Sequence, residues 1–258
     1  MEKELTRETL LQQKELFDDL MRQRFVFGQS FEIYGGVKGL YDYGPVGCAI
    51  KNNIQAKWRE HYILEEDMLE VSCSCLTPHI VLKNSGHVDK FDDLICRDAK
   101  TNECFRADHL LEEFIEGKLT DKKTTEELKE ELKLLLPRAD DLTKEEMKEV
   151  FDKYGVKSPV TKNDLSDPDS YNLMFKTQMG TSASNVAYLR PETAQSLIVN
   201  FPKLLNYNNG KLPFAGANIG LGFRNEIAPR NQLLRVREFE MGEIEHFYDP
   251  LDDTHPKF

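Results

Sequence analysis

The C-terminal part of the chain contains the pattern that most restricts its fold. Residues 216–248 predict a strand, a turn and a second strand, with a loop near Pro229–Leu234. Because side chains along a strand alternate between its two faces, Arg224 and Glu226 are expected to share one face of the first strand. Four side chains are expected to share one face of the second strand: Arg237, Phe239, Met241 and Glu243.

These side-chain types together suit a nucleotide and an amino acid. Arginine offers a planar fork of donors for phosphate or carboxylate, and a phenylalanine ring can stack on a nucleobase, which is worth about 1–3 kcal/mol. Glutamates accept hydrogen bonds from an ammonium group or an exocyclic amine. The alternative is a sheet in which arginine and glutamate pair across strands without any ligand. The pattern by itself favours that alternative.

Upstream segments predict further helices and strands. An amphipathic helix is predicted for residues 5–22, and Pro45 is expected to open a second helix. On that helix Ile50, Ile54 and Trp58 fall on one face, which is most simply a core face. The alternation in MLEVSCSC, Met68–Cys75, predicts a strand.

Three further helices are predicted nearer the centre and the C-terminal part. Between about Asp98 and Leu165 the composition becomes highly charged, which predicts a solvated helical insertion. Its two helices are expected to begin at capping boxes and to end at a proline and a glycine: Thr124 with Glu127 and Pro137, then Thr143 with Glu146 and Gly155. Past the insertion, Pro191 is expected to start another helix.

Composition excludes some classes of protein and leaves others open. No run of 18 apolar residues is present, which excludes a membrane span. The five cysteines without a signal peptide indicate a reducing compartment, and their spacings favour free thiols over a zinc site. The formal net charge of −11 argues against a nucleic-acid partner, but Lys211–Arg237 carries five basic residues and one acidic residue. That local charge of 5 − 1 = +4 is compatible with phosphate binding.

Several motifs together resemble one family. The segment Phe223–Phe247 closely resembles motif 2 of class II aminoacyl-tRNA synthetases, and GLYDYGPVGCAIKNNIQAKW, Gly39–Trp58, is similar to the region of motif 1. Four shorter blocks resemble glycyl-tRNA synthetases of the dimeric eukaryotic and archaeal type: SGHVDKF, CFRADHLL, NLMF and YLRPETAQ. The resemblance runs from about Met21 to the last residue, apart from the insertion.

The resemblance implies an α+β fold, in which an antiparallel sheet is flanked by helices. It implies a first part of the catalytic core with motif 1 at residues 1–97, a charged helical insertion at 98–170, and a second part of the core with motif 2 at 171–258. The family continues with motif 3 and an anticodon-binding domain, and the sequence to Phe258 contains neither. We therefore expect an N-terminal portion of a longer enzyme.

The resemblance also implies roles for individual residues. Arg224 would hold the α-phosphate of ATP and the carboxylate of glycine, and Phe239 would stack on adenine. Glu192 and Glu243 would bind the substrate ammonium group. Three further residues would lie near ATP: Glu226 by the adenine and the motif 2 loop, and Arg230 and Arg235 where that loop meets ATP phosphates or the acceptor end of tRNA.

The implied activity is the ATP-dependent attachment of glycine to tRNA(Gly) through a glycyl-adenylate, with Mg²⁺ on the ATP phosphates. The implied enzyme has no metal site of its own and no membrane contact. It would be a homodimer through the motif 1 region and cytoplasmic, with a mitochondrial form left open. The alternative is a non-catalytic class II-like module that binds nucleic acid or protein partners. Such relatives usually lose the motif 2 arginine, and Arg224 is present.

Overall fold

The computed structural model describes residues 7–181, 185–229 and 232–252. Nine helices are described: α1 (Arg7–Gln23), α2 (Pro45–Arg59), α3 (His79–Asn84), α4 (His87–Lys90), α5 (Ala107–Thr120), α6 (Glu126–Leu135), α7 (Lys144–Tyr154), α8 (Ala194–Val199) and α9 (Phe201–Tyr207). Eleven strands are described: β1 (Phe27–Gln29), β2 (Tyr41–Tyr43), β3 (Leu69–Glu70), β4 (Leu76–Pro78), β5 (Asp92–Arg97), β6 (Cys104–Arg106), β7 (Asp169–Asn172), β8 (Phe175–Gln178), β9 (Val186–Leu189), β10 (Phe214–Phe223) and β11 (Glu238–Phe247). Helices combined with largely antiparallel sheets confirm the predicted α+β class.

The chain forms two compact units. Unit 1 comprises Met1–Pro78, Lys176–Arg224 and Pro229–Phe258, and unit 2 comprises His79–Phe175 and Asn225–Ala228. The two predicted helices of the charged insertion both lie in unit 2.

The β10–β11 hairpin is the main sheet element of unit 1. The two strands pair antiparallel over ten residues each, from Phe214 opposite Phe247 to Phe223 opposite Glu238. The short strand β3 pairs parallel with β10 on its other edge, so the sheet order is β11-β10-β3. The predicted arrangement of strand, turn and strand is confirmed.

One side of this hairpin carries the core of unit 1. Trp58 of α2, and Tyr62 and Ile63 in the π-helix that follows α2, pack against the buried Met68, and the same cluster includes Ala215, Ala217 and Ile244. Small alanines on β10 let these large side chains approach the sheet closely, in keeping with dense core packing. The core position predicted for Trp58 is confirmed.

Two predictions about helices, one on α2 and one at Pro191, need correction. Pro45 opens α2 as expected, but the side chains of Ile50 and Ile54 are 51% and 65% exposed. The helix expected at Pro191 begins three residues later, at Ala194, and a second short helix follows from Phe201.

The strand predicted for Met68–Cys75 is also wrong for most of its length. Only Leu69–Glu70 forms a strand. The backbone carbonyls of Cys73 and Ser74 instead accept hydrogen bonds from Nη1 of Arg190, at 3.1 and 3.5 Å. Alternation of side chains alone could not show that the buried Arg190, and not a neighbouring strand, donates the hydrogen bonds to these backbone carbonyls.

Unit 2 combines a three-stranded antiparallel sheet, in the order β6-β5-β7, with three main helices. The sequence missed α5, whose buried Leu110, Leu111 and Ile115 form the centre of this core. The capping box of α7 is confirmed at Thr143 and Glu146. Helix α6 begins one residue later than expected, because Thr125 and not Thr124 is its cap, accepting from the backbone of Leu128 at 3.4 Å.

Among the described residues, no helix has the length and apolar character needed to cross a membrane.

Candidate active site

The side of the β10–β11 hairpin opposite Trp58 carries two of the predicted site residues, Phe239 and Glu243. The register places Phe239 opposite Gly222, and Glu243 opposite Asn218, and opposed residues of antiparallel strands point to the same side. We call this surface the site face, and it comprises Gly216, Asn218, Gly220, Gly222, Phe239, Met241, Glu243 and Glu245. The predicted alternation of Phe239, Met241 and Glu243 along the second strand is confirmed.

Glycines leave room above β10 on the site face. A Cβ atom at Gly222 would lie 2.9 Å from Cε2 of Phe239, and one at Gly220 would lie 2.1 Å from Nη2 of Arg190. Larger residues would therefore collide with the aromatic ring or with the guanidinium group. The alternating glycines of FAGANIGLGF were the available sequence signal for this surface, since glycine inside a strand often marks a close approach.

Arg224 and Phe239 are brought together at one end of the site face. The guanidinium carbon of Arg224 lies 5.5 Å from the centroid of the Phe239 ring, within the range of a cation–π interaction. Its Nε donates to the carbonyl of Pro191 at 3.3 Å, and its backbone N–H donates to the carbonyl of Arg237 at 3.0 Å. A cation is thus held beside an aromatic plate.

The predicted ammonium-binding carboxylates are each held by a neighbour from the segment around α8. Oε2 of Glu243 accepts from the hydroxyl of the fully buried Thr193 at 3.3 Å. Oε1 of Glu192 accepts from Nε2 of Gln195 at 2.7 Å. Thr193 and Gln195 are positioning residues that the sequence reasoning missed, although both lie in the YLRPETAQ block.

A third carboxylate, Glu245, joins these two and was also missed. Burial raises the pKa of Glu245, and the negative charges of Glu243 and Glu192 raise it further. Because the charges of Glu192 and Glu243 both act on Glu245, the three carboxylates form one acidic cluster. Such a cluster is suited to a small cationic group.

Arg190 is the most buried cation of the site, with only 3% of its surface exposed. Its Nε donates to the carbonyl of Leu221 at 2.7 Å, and its Nη1 reaches the carbonyls of Cys73 and Ser74. The residue therefore fixes β10 against the segment after β3. The site face therefore has a positive charge at Gly220, from Arg190, and negative charges farther along, at Glu243 and Glu245.

Two predictions about the first strand are corrected. Strand β10 ends at Phe223, so Arg224 and Glu226 lie beyond it and the argument from a shared strand face does not apply. Glu226 lies in unit 2, where it interacts electrostatically with Asp93 and Arg106.

The remaining predicted arginines, Arg237, Arg235 and Arg230, precede β11. Arg237 was expected on the second strand, but it precedes β11, and its Nη1 donates to the carbonyl of Lys38 at 2.6 Å. Arg235 is half-buried between the 3₁₀ helix at Gln232–Leu234 and β11. Arg230 lies outside the described residues.

The cysteines and acidic residues do not form an evident metal centre. Within the described ranges, no group of three histidine, cysteine, aspartate or glutamate side chains is arranged to hold a metal ion. Burial raises the pKa of the Cys96 thiol to about 12, which makes it unreactive as a ligand or nucleophile near neutral pH.

Comparisons with known proteins place this geometry in context. The chain is 56% identical over 241 residues to the glycine–tRNA ligase of Caenorhabditis elegans, covering 93% of this chain and 32% of that protein. It is 49% identical over 278 residues to glycine–tRNA ligase 1, mitochondrial, of Saccharomyces cerevisiae, covering 95% and 40% respectively. The chain thus spans about a third to two fifths of the length of these relatives. No family model matches it.

Among solved structures, prolyl-tRNA synthetase from Cryptosporidium parvum with L-proline and AMP matches 90% of this chain and 28% of that chain. Its TM-score is 0.47 and its identity is 10%, values too low to support an argument. The sequence matches, in contrast, confirm the predicted resemblance to glycyl-tRNA synthetases, which are class II aminoacyl-tRNA synthetases. The Phe223–Phe247 hairpin and the YLRPETAQ block that suggested the resemblance also build the site face and its supports.

Proposed function

We propose that this chain carries part of the active site of a glycine–tRNA ligase, which attaches glycine to tRNA(Gly) with ATP through a glycyl-adenylate. The observation that carries the proposal is the identity of 49–56% to glycine–tRNA ligases across 93–95% of the chain. The site face supports it independently, because it combines an arginine, an aromatic plate and clustered carboxylates.

In this proposal, separate residues bind the ammonium and carboxylate groups of glycine and the α-phosphate and adenine of ATP. The ammonium group of glycine binds Glu192 and Glu243, through charge-assisted hydrogen bonds. Arg224 binds the carboxylate of glycine and the α-phosphate of ATP, and Phe239 stacks on the adenine. The carboxylate oxygen then attacks the α-phosphorus and pyrophosphate leaves.

The second step transfers the glycyl group to the terminal ribose hydroxyl of tRNA, and AMP leaves. Neither step needs a nucleophilic side chain, so the protein contributes positioning and charge stabilisation. The fixed carboxylates and guanidinium groups suit that role, because supports such as Thr193, Gln195 and the Pro191 carbonyl already hold them.

Selectivity for glycine requires binding of its ammonium and carboxylate groups and exclusion of any side chain. Glycine lacks a side chain, so only its ammonium and carboxylate groups can be recognised. A yielding pocket rejects one extra methyl group by only about 1–3 kcal/mol. The buried Arg190 and Thr193, which lie against the site face at Gly220 and Glu243, supply rigid walls that make such rejection effective.

Mg²⁺ fits this site as a companion of ATP and not as a resident ion. No cluster in the described part of the chain forms a protein cage for it, and Mg²⁺ commonly takes most of its ligands from water and substrate phosphates. When bound there, the ion neutralises phosphate charge.

The roles proposed for the loop between β10 and β11 concern ATP and tRNA. Glu226 contacts the adenine end, and Arg230 and Arg235 bind ATP phosphates or the tRNA acceptor end. The stretch from Lys211 to Arg237 has a net charge of +4, which favours phosphate contacts although the whole chain is acidic.

We also propose that two copies of the protein associate through the motif 1 region. In unit 1, Ile33 and Tyr34 are 88% and 85% exposed, and Ile50 and Ile54 on α2 are more than half exposed. Ile54 also lines a cavity of about 560 Å³ that includes Phe31. Exposed apolar surface of this extent is typical of an interface. Ile54→Asp should produce monomers in analytical ultracentrifugation, and unchanged dimers would contradict the assignment.

The proposed location is the cytoplasm, with a mitochondrial form also open, because one similar protein is named as mitochondrial. The proposed division of the enzyme core remains 1–97 and 171–258, interrupted by the insertion at 98–170.

Glycine-dependent ATP–pyrophosphate exchange tests the proposal, with the protein expressed at its full natural length. Exchange that depends on glycine, and not on alanine, proline or serine, is the expected result. Exchange that depends on proline or serine but not on glycine would overturn the assignment to glycine. Isothermal titration that shows no ATP binding would favour the non-catalytic module.

A further inference from the structure

Asn218 is a fully buried side chain at the centre of the site face. It lies on β10 directly opposite Glu243 of β11, and the Cβ atoms of such opposed residues are about 4.5–5.5 Å apart. Its position places an amide next to a carboxylate proposed to bind the glycine ammonium group.

In the side-chain amide of Asn218, the nitrogen has a hydrogen-bond partner in the structure and the oxygen does not. Its Nδ2 donates to the carbonyl of Val71 at 2.8 Å. Its Oδ1 is buried and has no hydrogen-bond partner among the described residues. Most buried polar atoms are paired, and each exception requires an explanation.

The orientation of this amide is fixed by its neighbours. A flipped amide would put Oδ1 against the carbonyl oxygen of Val71, where two acceptors would face each other. Oδ1 therefore points away from Val71. It lies 2.9 Å from the position that a Cβ atom on Gly220 would occupy, which is on the site face.

An ammonium group offers three N–H donors, and two of them have receivers in Glu192 and Glu243. We infer that Oδ1 of Asn218 is the third receiver, so that the site reads glycine as a primary ammonium ion with all three N–H groups bound. This inference rests on the proposed function. It makes Asn218 a residue that selects for an unsubstituted amino group.

The arrangement also explains why an amide, and not another carboxylate, occupies this position. The negative charges of Glu243 and Glu192 already help burial to raise the pKa of Glu245. A fourth negative charge would add to that repulsion, whereas a neutral amide oxygen supplies an acceptor without charge. The amide also has an N–H group to hold the carbonyl of Val71, which a carboxylate lacks.

The decisive measurement compares glycine with N-methylglycine, whose ammonium group has only two N–H donors. In ATP–pyrophosphate exchange, wild-type protein should prefer glycine over N-methylglycine in kcat/KM. Asn218→Leu, which is close in size but has no acceptor, should raise the KM for glycine about 10-fold and reduce that preference at least several-fold. The KM for ATP should change less than 2-fold.

Asn200→Leu is the matched control. Nδ2 of Asn200 donates to the carbonyl of Ser196 at 2.9 Å and to Sγ of Cys73 at 3.7 Å, so this variant loses a structural amide without losing the proposed receiver. It should keep the wild-type preference for glycine over N-methylglycine. If circular dichroism shows that Asn218→Leu is unfolded, Asn218→Thr serves instead, because its side chain ends one atom short of the Oδ1 position.

The outcomes separate this inference from the proposed function. No glycine-dependent exchange by the wild-type protein overturns both. Exchange by the wild type, together with an unchanged preference in the Asn218 variant, overturns the role of Asn218 alone. A parallel rise in the KM for glycine and for ATP, with the preference intact, also overturns it, because that is the result of general structural damage.

Discussion

Two acidic centres of the molecule show opposite ways of placing carboxylates in a protein. In unit 2, Asp98 is only 2% exposed, and its carboxylate accepts from the backbone N–H groups of Lys100 and Thr101, the hydroxyl of Thr161 and the amide of Asn163. These hydrogen bonds hold the pKa of Asp98 well below its usual range. Two donors lie just after Asp98 and two lie more than 60 residues later, so the carboxylate connects two distant segments of the chain.

In unit 1, Glu245 is crowded by Glu243 and Glu192, and together with burial they raise its pKa. The first centre satisfies its charge internally, and the second gathers like charges near an acceptor atom, Asn218 Oδ1, that lacks a donor. Burial of a carboxylate therefore does not by itself mark a binding site. A carboxylate surrounded by donors acts as a structural clamp, whereas carboxylates gathered near one another suit a cationic ligand.

The largest expected effect is on the cation of the site face. Arg224→Ala should lower glycine-dependent exchange by at least about 100-fold, because a fixed donor to developing charge is removed. Arg59→Ala is the matched control, since Arg59 is a more exposed arginine that pairs with Glu70 at 2.7 Å. Activity of Arg224→Ala near that of Arg59→Ala would remove Arg224 from its role.

The next effect concerns the crowded carboxylates. Glu243→Gln keeps the shape of the side chain but removes its charge, so the KM for glycine should rise about 10–100-fold while the KM for ATP changes little. Glu240→Gln is the control, because Glu240 lies on the same strand but contacts Lys51 at 3.1 Å. Equal KM values for glycine in the two variants would contradict the assignment.

A smaller effect, on stability, is expected at the internally satisfied centre. Asp98→Asn should lower the midpoint of thermal unfolding, because an amide cannot replace the carboxylate toward all four donors. Since the folded pKa is below the ordinary value of 3.8, the stabilisation is complete above pH 3.8 and is lost as the pH falls further. The deficit of the variant should therefore be constant from pH 5 to 8 and shrink in acid. A deficit that grows below pH 3.8 would be inconsistent with this account.

The smallest effect has the opposite sign. Because the pKa of Glu245 is raised above the ordinary value of 4.5, its ionisation costs stability at pH values above the raised pKa, and the cost is absent below 4.5. Glu245→Gln should therefore slightly raise the unfolding midpoint at pH 7, with no gain at pH 4. A lower midpoint at pH 7 would show that the carboxylates are not crowded.

Much of the hairpin and its chemistry was accessible from the sequence. Alternation placed Phe239, Met241 and Glu243 on one face, and the structure confirms that arrangement. The capping box at Thr143 was readable because its hydrogen bonds join residues three apart. The resemblance to glycyl-tRNA synthetases came from contiguous motifs, which need no knowledge of tertiary contacts.

Other features depend on contacts between distant parts of the chain. Arg190 reaches Leu221 and Cys73, and Asn218 reaches Val71, so neither role leaves a local pattern. The strand was predicted to continue through Glu226 because alternation carries no signal for where pairing stops. Ile50 was predicted to be a core residue because periodicity identifies the apolar face of a helix. Periodicity does not show whether another part of the protein covers that face.

The site face is proposed to bind the ammonium group of glycine in an adenylate. Isothermal titration with 5′-O-(glycylsulfamoyl)adenosine and with its acetyl counterpart, which lacks only the amino group, measures the contribution of that group. We expect the glycyl compound to bind at least about 10-fold more tightly, a difference of about 1.4 kcal/mol. Equal affinities for the two compounds would contradict the account.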